Sequence, residues 1–373
     1  MSAKIESTPL AAMRLGDRPE DFRRFGLDPH AIGRWEDGLR TDPTCRGTYE
    51  WWYFDANLDD GAKLVVVFYT KPIIAAQGRL SPTVLINLAL PDGTSVERTQ
   101  TFPDASFSAA TETCAVRIAD NFLDGDLHTY RISAAINEVS VEVTLTGEVP
   151  AWRQKTSHLL FGPDGQEKDY FAWLPAVPQG SAMVTYRVGA RSSTTGGIGY
   201  HDHNWGNVPM NTLMNDWYWG RAQVGPYTVI AAFITSSKRF GFSARTAFVL
   251  ARDGAVVADD DTKVRFEASD VTLDPATGKP VAGVISYNYR DGDQEFVIRF
   301  VRESTLVRAK FSSLLPPLKR LAARLTGFDG AYLRFAGSVA IDRIVLGTIA
   351  ETYTAGAMWE LMYFGPAHLP GQR

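Results

Sequence analysis

Apolar residues recur in short runs from about Thr48 to the end of the chain, often at every second position. The clearest runs are KLVVVFYT at 63–70, TVLINLAL at 83–90, SVEVTLTG at 140–147, AMVTYRVG at 182–189, YTVIAAFI at 227–234, TAFVLARDG at 246–254, EFVIRFVR at 295–302 and SVAIDRIV at 338–345. They are rich in Val, Ile, Tyr, Phe and Thr, and Gly, Asp, Asn and Pro separate them. That is the composition of strands between turns. Asp60-Gly61, Asp92-Gly93, Asp253-Gly254 and Asp291-Gly292 fit hairpin turns. The pattern predicts an all-β chain of antiparallel barrels or sandwiches with a few short helices.

The pattern also repeats. EWWYFDANLDDGAKLVVVFYT starts at Glu50 and DWYWGRAQVGPYTVIAAFIT starts at Asp216. Each has an acid, three aromatics, a turn and an apolar strand ending in Thr70 or Thr235. Glu50 aligns with Asp216, Trp51 with Trp217, Trp52 with Tyr218 and Tyr53 with Trp219. Self-similarity of this kind predicts two related β domains, 46–210 and 211–373. The charged, Pro- and Gly-containing residues 1–45 read as an N-terminal arm with little regular structure beyond a short helix. One segment, 307–328, departs from the β pattern. Leu318, Leu321 and Leu325 fall at helical spacing among Arg308, Lys310, Lys319, Arg320 and Arg324, which predicts a helical insertion. It either packs on a barrel or forms a basic flap that rests on lipid or gates a pocket.

Composition narrows the function classes. With 38 Lys+Arg against 42 Asp+Glu in 373 residues, the formal charge is −4. That balance argues against nucleic acid as the main partner, since phosphate binding needs a basic excess. Aromatics make up 12 % of the chain, with 9 Trp, which suits β cores or an apolar cavity. Cys45 and Cys114 are isolated thiols, neither a disulfide framework nor a zinc site by themselves. No run has the length of a signal-peptide core or a membrane helix, so a cytoplasmic location is expected.

The densest chemistry lies in Gly199-Tyr200-His201-Asp202-His203-Asn204-Trp205-Gly206. On a strand, His201, His203 and Trp205 project one way, and Tyr200, Asp202 and Asn204 the other. Two histidines at i, i+2 suit zinc, but no further His- or Cys-rich motif supplies a third ligand, so no metal is expected. Alternatively, Asp202 and the histidines serve as a general acid/base set near Trp205, Trp217, Tyr218 and Trp219. In the plainest reading, Asp202 and Asn204 bond turns and the histidines are core. Glu50 and Asp216 open the two repeats. Pairing with an arginine such as Arg221 or Arg334 suits Glu50, and Asp216 remains a site candidate. There is no GxGxxG or GxxxxGK[ST] phosphate loop and no GxSxG elbow. The stretch at 170–175, YFAWLP, reads as a packed crossover.

GYHDHNWG and DWYWGRAQVGPYTV, with EWWYFD upstream and YLRFAG at 332–337, resemble the hydroxyneurosporene synthase (carotenoid hydratase) superfamily. That group includes lipocalin-like two-barrel proteins and the decalin-forming Diels–Alderases of fungal polyketide pathways. The WYWG-x4-GPY pattern looks closest to the last group. The resemblance runs from about Thr48 onward. It implies two lipocalin-like β domains, a deep apolar pocket, a small hydrophobic substrate and no organic cofactor or metal. Its polar positions map onto His203, Trp205, Asp202 and Asp216. The implied activity is acid-assisted hydration or cyclisation of a C=C bond in an isoprenoid or polyene intermediate. Asp202 or His203 would donate the proton, with Asp216 as a further acid. His201, Trp205, Trp217, Tyr218, Trp219, Trp51 and Tyr53 would line the pocket. The alternatives are a pericyclase that needs shape and one donor such as Tyr218, and a lipocalin-type carrier. Weak peripheral membrane contact is the other expected interaction.

Overall fold

The computed structural model describes residues 12–311 and 329–368. The strands are β1 (Ala12–Leu15), β2 (Tyr49–Leu58), β3 (Lys63–Tyr69), β4 (Thr83–Ala89), β5 (Ser95–Thr101), β6 (Phe107–Ala109), β7 (Cys114–Ile118), β8 (Asn121–Gly125), β9 (Thr129–Ile136), β10 (Val139–Val149), β11 (His158–Gly162), β12 (Asp169–Val188) and β13 (Arg191–Gly206). They continue with β14 (Met214–Val224), β15 (Tyr227–Ser236), β16 (Ala244–Arg252), β17 (Ala255–Ala258), β18 (Val264–Ser269), β19 (Thr272–Leu273), β20 (Pro280–Val281), β21 (Val284–Asp291), β22 (Gln294–Lys310), β23 (Ala331–Val345) and β24 (Thr348–Tyr363). The two α-helices described are short, α1 (Pro19–Phe25) and α2 (Met210–Leu213). Every apolar run singled out in the sequence lies on a strand, and each of the four Asp-Gly pairs named above sits at a hairpin turn. At Asp60-Gly61 the glycine takes φ 91°, a backbone region that L side chains avoid.

The chain forms two compact units, each a curled, lipocalin-like antiparallel sheet. One comprises Leu15–Leu159 and Tyr170–Met210; the other comprises residues 12–14, Leu160–Asp169 and the described residues from Asn211. The first sheet runs β5-β4-β3-β2-β13-β12-β10-β9-β8-β7-β6, and the second β17-β16-β15-β14-β24-β23-β22-β21-β18. In each, the strand that opens the repeat (β2 or β14) pairs with the last strand (β13 or β24), and the order outward is the same. Strand period sorts the side chains. Trp52, Phe54, Ala56 and Leu58 of β2 join Leu64, Val66 and Phe68 of β3 in the first core. Tyr218 and Ala222 of β14 join Phe300, Leu333, Trp359 and Leu361 in the second. Full burial of each such large apolar side chain contributes about 1.5–3 kcal/mol.

Residues 15–45, expected as an arm, are counted within the first unit. Asp21 accepts from the Arg18 amide at 3.0 Å at the start of α1, and Gly26 ends the helix at φ 67°. A 3-10 turn over Arg34–Asp37 follows. One of its charges is buried in a pair: Glu36 meets Arg153 at 2.7 Å, both side chains 4 % exposed. Residues 307–310, the start of the segment expected to hold a short helix, continue β22 and pair along β23, Val307 opposite Arg334 and Lys310 opposite Ala331. Leu318, Leu321 and Leu325, with Lys319, Arg320 and Arg324, lie outside the described residues. The stretch at 170–175 is part of β12, not a crossover. Among the described residues, no helix is long and apolar enough to cross a membrane.

Gly337 marks where the second sheet is tightest. It faces the register shift between Arg302 and Ser304, and a Cβ there would lie 2.0 Å from the Val301 carbonyl oxygen. Backbone cannot move aside as a side-chain tip can. Gly337→Ala is expected to destabilise the protein by about 1–3 kcal/mol, read as a lower urea midpoint.

Candidate functional site

Strand β13 separates the candidate residues by period. On its core-facing side, His201 lies opposite Phe54, His203 opposite Trp52 and Trp205 opposite Glu50. On the other side, Tyr200 lies opposite Asp55, Asp202 opposite Tyr53 and Asn204 opposite Trp51. Asp202 and the histidines are therefore on two faces of one strand.

The core-facing set is fully buried and held by acids. His201 Nδ1 is 2.9 Å from the Tyr53 carbonyl oxygen, which only accepts, so Nδ1 carries a hydrogen. Its Nε2 is 3.2 Å from Asp37 Oδ2. An imidazolium satisfies both contacts. Burial opposes that charge, but Asp37 outweighs it and holds His201 above the usual imidazole value. Burial likewise pushes Asp37 up, yet His201, His203 and the Tyr130 hydroxyl, which donates at 2.6 Å, hold it below the usual carboxylate range. His203 Nε2 is 3.0 Å from Glu50 Oε2, and its ring stacks on Trp52 at 4.5 Å between centroids. Glu50 also accepts from the backbone amides of Arg40, at 2.8 Å, and Thr41. Its hydrogen-bond partners are thus a histidine and two amides, and the arginine whose charge it attracts is Arg40, not Arg221 or Arg334.

Asp37, Cys114 and His201 offer three atoms within 4.8 Å that could hold a metal ion. Tyr130 and His201 both point hydrogens at Asp37 Oδ2, whereas Asp37 Oδ1 and His203 Nδ1, 3.6 Å apart, are buried without a hydrogen-bond partner. The set reads as a buried ion pair. Trp205 ends this row and lines a cleft of about 100 Å³ with Phe25, Trp35, Arg40, His158 and Tyr170. Burial draws His158 down to about 3, so that wall is neutral.

On the other face, Asp202 is 6 % exposed. Its Oδ2 accepts from Tyr200 Oη and from Trp173 Nε1, both at 2.7 Å, and Oδ1 accepts from Asn204 Nδ2 at 2.8 Å. Burial raises Asp202 to about 6 against the pull of these donors and of His201. Tyr200 is raised well above an ordinary phenol by burial and by Asp202, so it remains a donor. Tyr53 packs edge-on against Tyr200 at 6.2 Å, and Trp51 stacks on Phe171 at 6.2 Å. A carboxyl that titrates near neutrality, beside half-buried aromatic faces, can give and take a proton.

The second unit holds the remaining candidates. Asp216 is 1 % exposed and accepts from Asn215 Nδ2 at 2.6 Å; burial pushes it to about 7. Tyr218 is core, its hydroxyl accepting from the Ala282 amide at 3.0 Å. Trp217 and Trp219 take the opposite, half-buried face of β14. The structure thus groups Trp51, Tyr53 and Asp202 on one face. It groups His201, His203 and Trp205 on another. Asp37, Tyr130 and Trp173 escaped the sequence reading. Trp173 lies in the apolar, aromatic run 170–175, whereas Asp37 lies 164 residues from its partner His201 in a segment without period.

A family model described as Diels-Alderase-like matches residues 39–314. The chain is similar to the quinolone epoxide rearrangement protein asqO of Emericella nidulans, 22 % identical over 327 residues, which are 81 % of this chain and 84 % of that protein. Among solved structures it resembles CghA, with a TM-score of 0.57 at 15 % identity over 97 % of this chain and 100 % of CghA. It also resembles kievitone hydratase from Nectria haematococca, with a TM-score of 0.53 at 10 % identity over 90 % of this chain and 93 % of the hydratase. At these identities the structural likenesses speak to the fold alone.

Proposed function

The chain belongs to the Diels-Alderase-like family, and from that premise we propose that it is a cofactor-independent enzyme of natural-product biosynthesis that uses the Asp202 carboxyl to protonate an apolar, unsaturated substrate. The observation that carries this reading is the Asp202 site itself: a carboxyl buried enough to titrate at about 6, held by three side-chain donors. The relatives are named for an epoxide rearrangement and for a hydration, and both are reactions that a proton at carbon or oxygen can start.

The protonated carboxyl gives its hydrogen to an alkene carbon or an epoxide oxygen. A second double bond, or water, then closes the resulting cation, and the proton released returns to the carboxylate. The donors from Tyr200, Trp173 and Asn204 steady the anion between the two transfers. Faces such as Trp51 and Tyr53 attract positive charge in the intermediate, an effect of about 0.5–2 kcal/mol per ring. The net change is an isomerisation when carbon captures the cation and a lyase-class hydration when water does. Asp202 suits the role better than His203, which is fully buried and committed to Glu50.

Incubation with unsaturated terpenoid and polyketide intermediates in deuterated or oxygen-18 water, read by mass spectrometry, tests the reading. Deuterium on carbon in the product is expected, with oxygen-18 as well if water is the nucleophile. For an alkene substrate, product without either label points to a pericyclase. An epoxide is protonated on oxygen, where the label exchanges away, so there the loss of turnover in Asp202→Asn is the readout. Unchanged ligand points to a carrier.

A further inference from the structure

The two sheets share one plan, and the plan brings a carboxylate to the same place twice. On β13, Asp202 lies opposite Tyr53 of β2. On β24, Glu360 lies opposite Trp219 of β14. Tyr53 and Trp219 are the third aromatics of the aligned openings EWWYFD and DWYWG. Across the other edge, Asp202 faces Pro175 of β12 and Glu360 faces Arg334 of β23. One same-face step earlier on those strands stand Trp173 and Tyr332, and each reaches the carboxylate. Trp173 Nε1 donates to Asp202 at 2.7 Å, and Tyr332 Oη donates to Glu360 at 2.9 Å. Trp217, the counterpart of Trp51, adds an indole hydrogen to Glu360 at 3.2 Å.

Glu360 does not face the core. Its strand neighbours Trp359 and Leu361 do, at 3 % and 0 % exposure. Its own face carries half-buried Trp217, Trp219, Tyr332, Arg334 and Met358. A solvated face has few such residues, and a sealed core has no place for a carboxyl beside an arginine. We propose that Glu360 is a second ligand-touching carboxyl, which in its protonated form donates a hydrogen bond to an acceptor oxygen of a flat, unsaturated molecule lying against Trp217 and Trp219. The proposal takes its ligand class from the proposed function; its geometry is independent of it.

Burial raises the Glu360 carboxyl above its usual value, against the pull of Arg334 and the two donors. The groups facing it are Arg334 and Tyr332 from β23, with Arg221 on the same face of β14. Only the protonated form can donate, so the preference for an acceptor oxygen fades as pH rises through that raised value.

The test is titration of tryptophan fluorescence with 2-acetylnaphthalene and with 2-ethylnaphthalene, a near-isostere without the carbonyl. The protein is expected to bind the ketone roughly 5-fold more tightly at the acid end of its stable pH range, one hydrogen bond's worth, and to lose that preference progressively at the alkaline end. Glu360→Gln keeps a donor at every pH and is expected to keep the preference at both. Glu360→Ala is expected to lose it at both. Equal binding of the two probes by the wild type, or a wild-type preference in Glu360→Ala, overturns the proposal. If the alanine variant does not fold, Glu360→Gln decides: a preference that still fades with pH counts against it. Undiminished turnover by Asp202→Asn would sink the proposed function and leave these titrations standing, so the two failures are distinguishable.

Discussion

Asp202→Asn is expected to lower turnover roughly 100-fold or more, the usual scale of general acid catalysis, with substrate binding changed only a few-fold. The substitution keeps the shape and an acceptor for Tyr200 and Trp173 but removes the transferable proton. The wild-type rate should carry the same signature. The active form is the protonated one, so kcat/KM should be flat in acid and fall about tenfold per pH unit above the titration at about 6. Asp202→Asn should lose that limb. A pericyclase would respond in the opposite order, losing more from Trp51→Ala, which removes a wall, than from the loss of the acid. Rates measured across pH for the three proteins, with circular dichroism as the check on folding, separate the two mechanisms.

The largest stability effect is expected at Asp37. Asp37→Ala leaves His201 with its Nε2 hydrogen unbound and the Tyr130 hydroxyl without its acceptor. Breaking one side of a buried charge pair costs about 3–5 kcal/mol, so urea unfolding should show a loss of that size. The pH dependence follows from the directions of the two shifts. Asp37 is held below the usual carboxylate value, so its contribution is present above 3.8 and disappears as pH falls through the native value. His201 is held above 6.5, so its contribution is complete below 6.5 and disappears as pH rises through its native value. The pair therefore adds a stability maximum between the two, and Asp37→Ala should flatten it.

The sequence was most informative where one strand decides the outcome. Period 2 alone put His201, His203 and Trp205 on one face and Asp202 on the other, and the eight apolar runs and the Asp-Gly turns all lie where they were expected. The repeat at Glu50 and Asp216 was legible because both openings keep the acid and three aromatics in order. What escaped depends on contacts between distant strands. Asp37 reaches His201 from a short 3-10 turn with no apolar period. Glu360 becomes visible only once β24 is paired in register with β14. Of the segment near 307–328 expected to hold a short helix, residues 307–310 pair along β23 instead, while the leucine spacing at 318–325 lies outside the described residues. Glu50 was assigned an arginine by charge alone, but its nearest donors are two backbone amides and a histidine across the strand pair.

Asp202 is expected to hold a proton that it gives up near neutral pH, and a carbon-13 NMR titration of the aspartate carboxyls reads this without a substrate. The Asp202 resonance is assigned by its absence in Asp202→Asn. The account predicts a midpoint at about 6. A midpoint at the ordinary value of 3.8 would mean that the three donors outweigh burial, that the carboxylate is fully ionised when the protein works, and that it is not the acid.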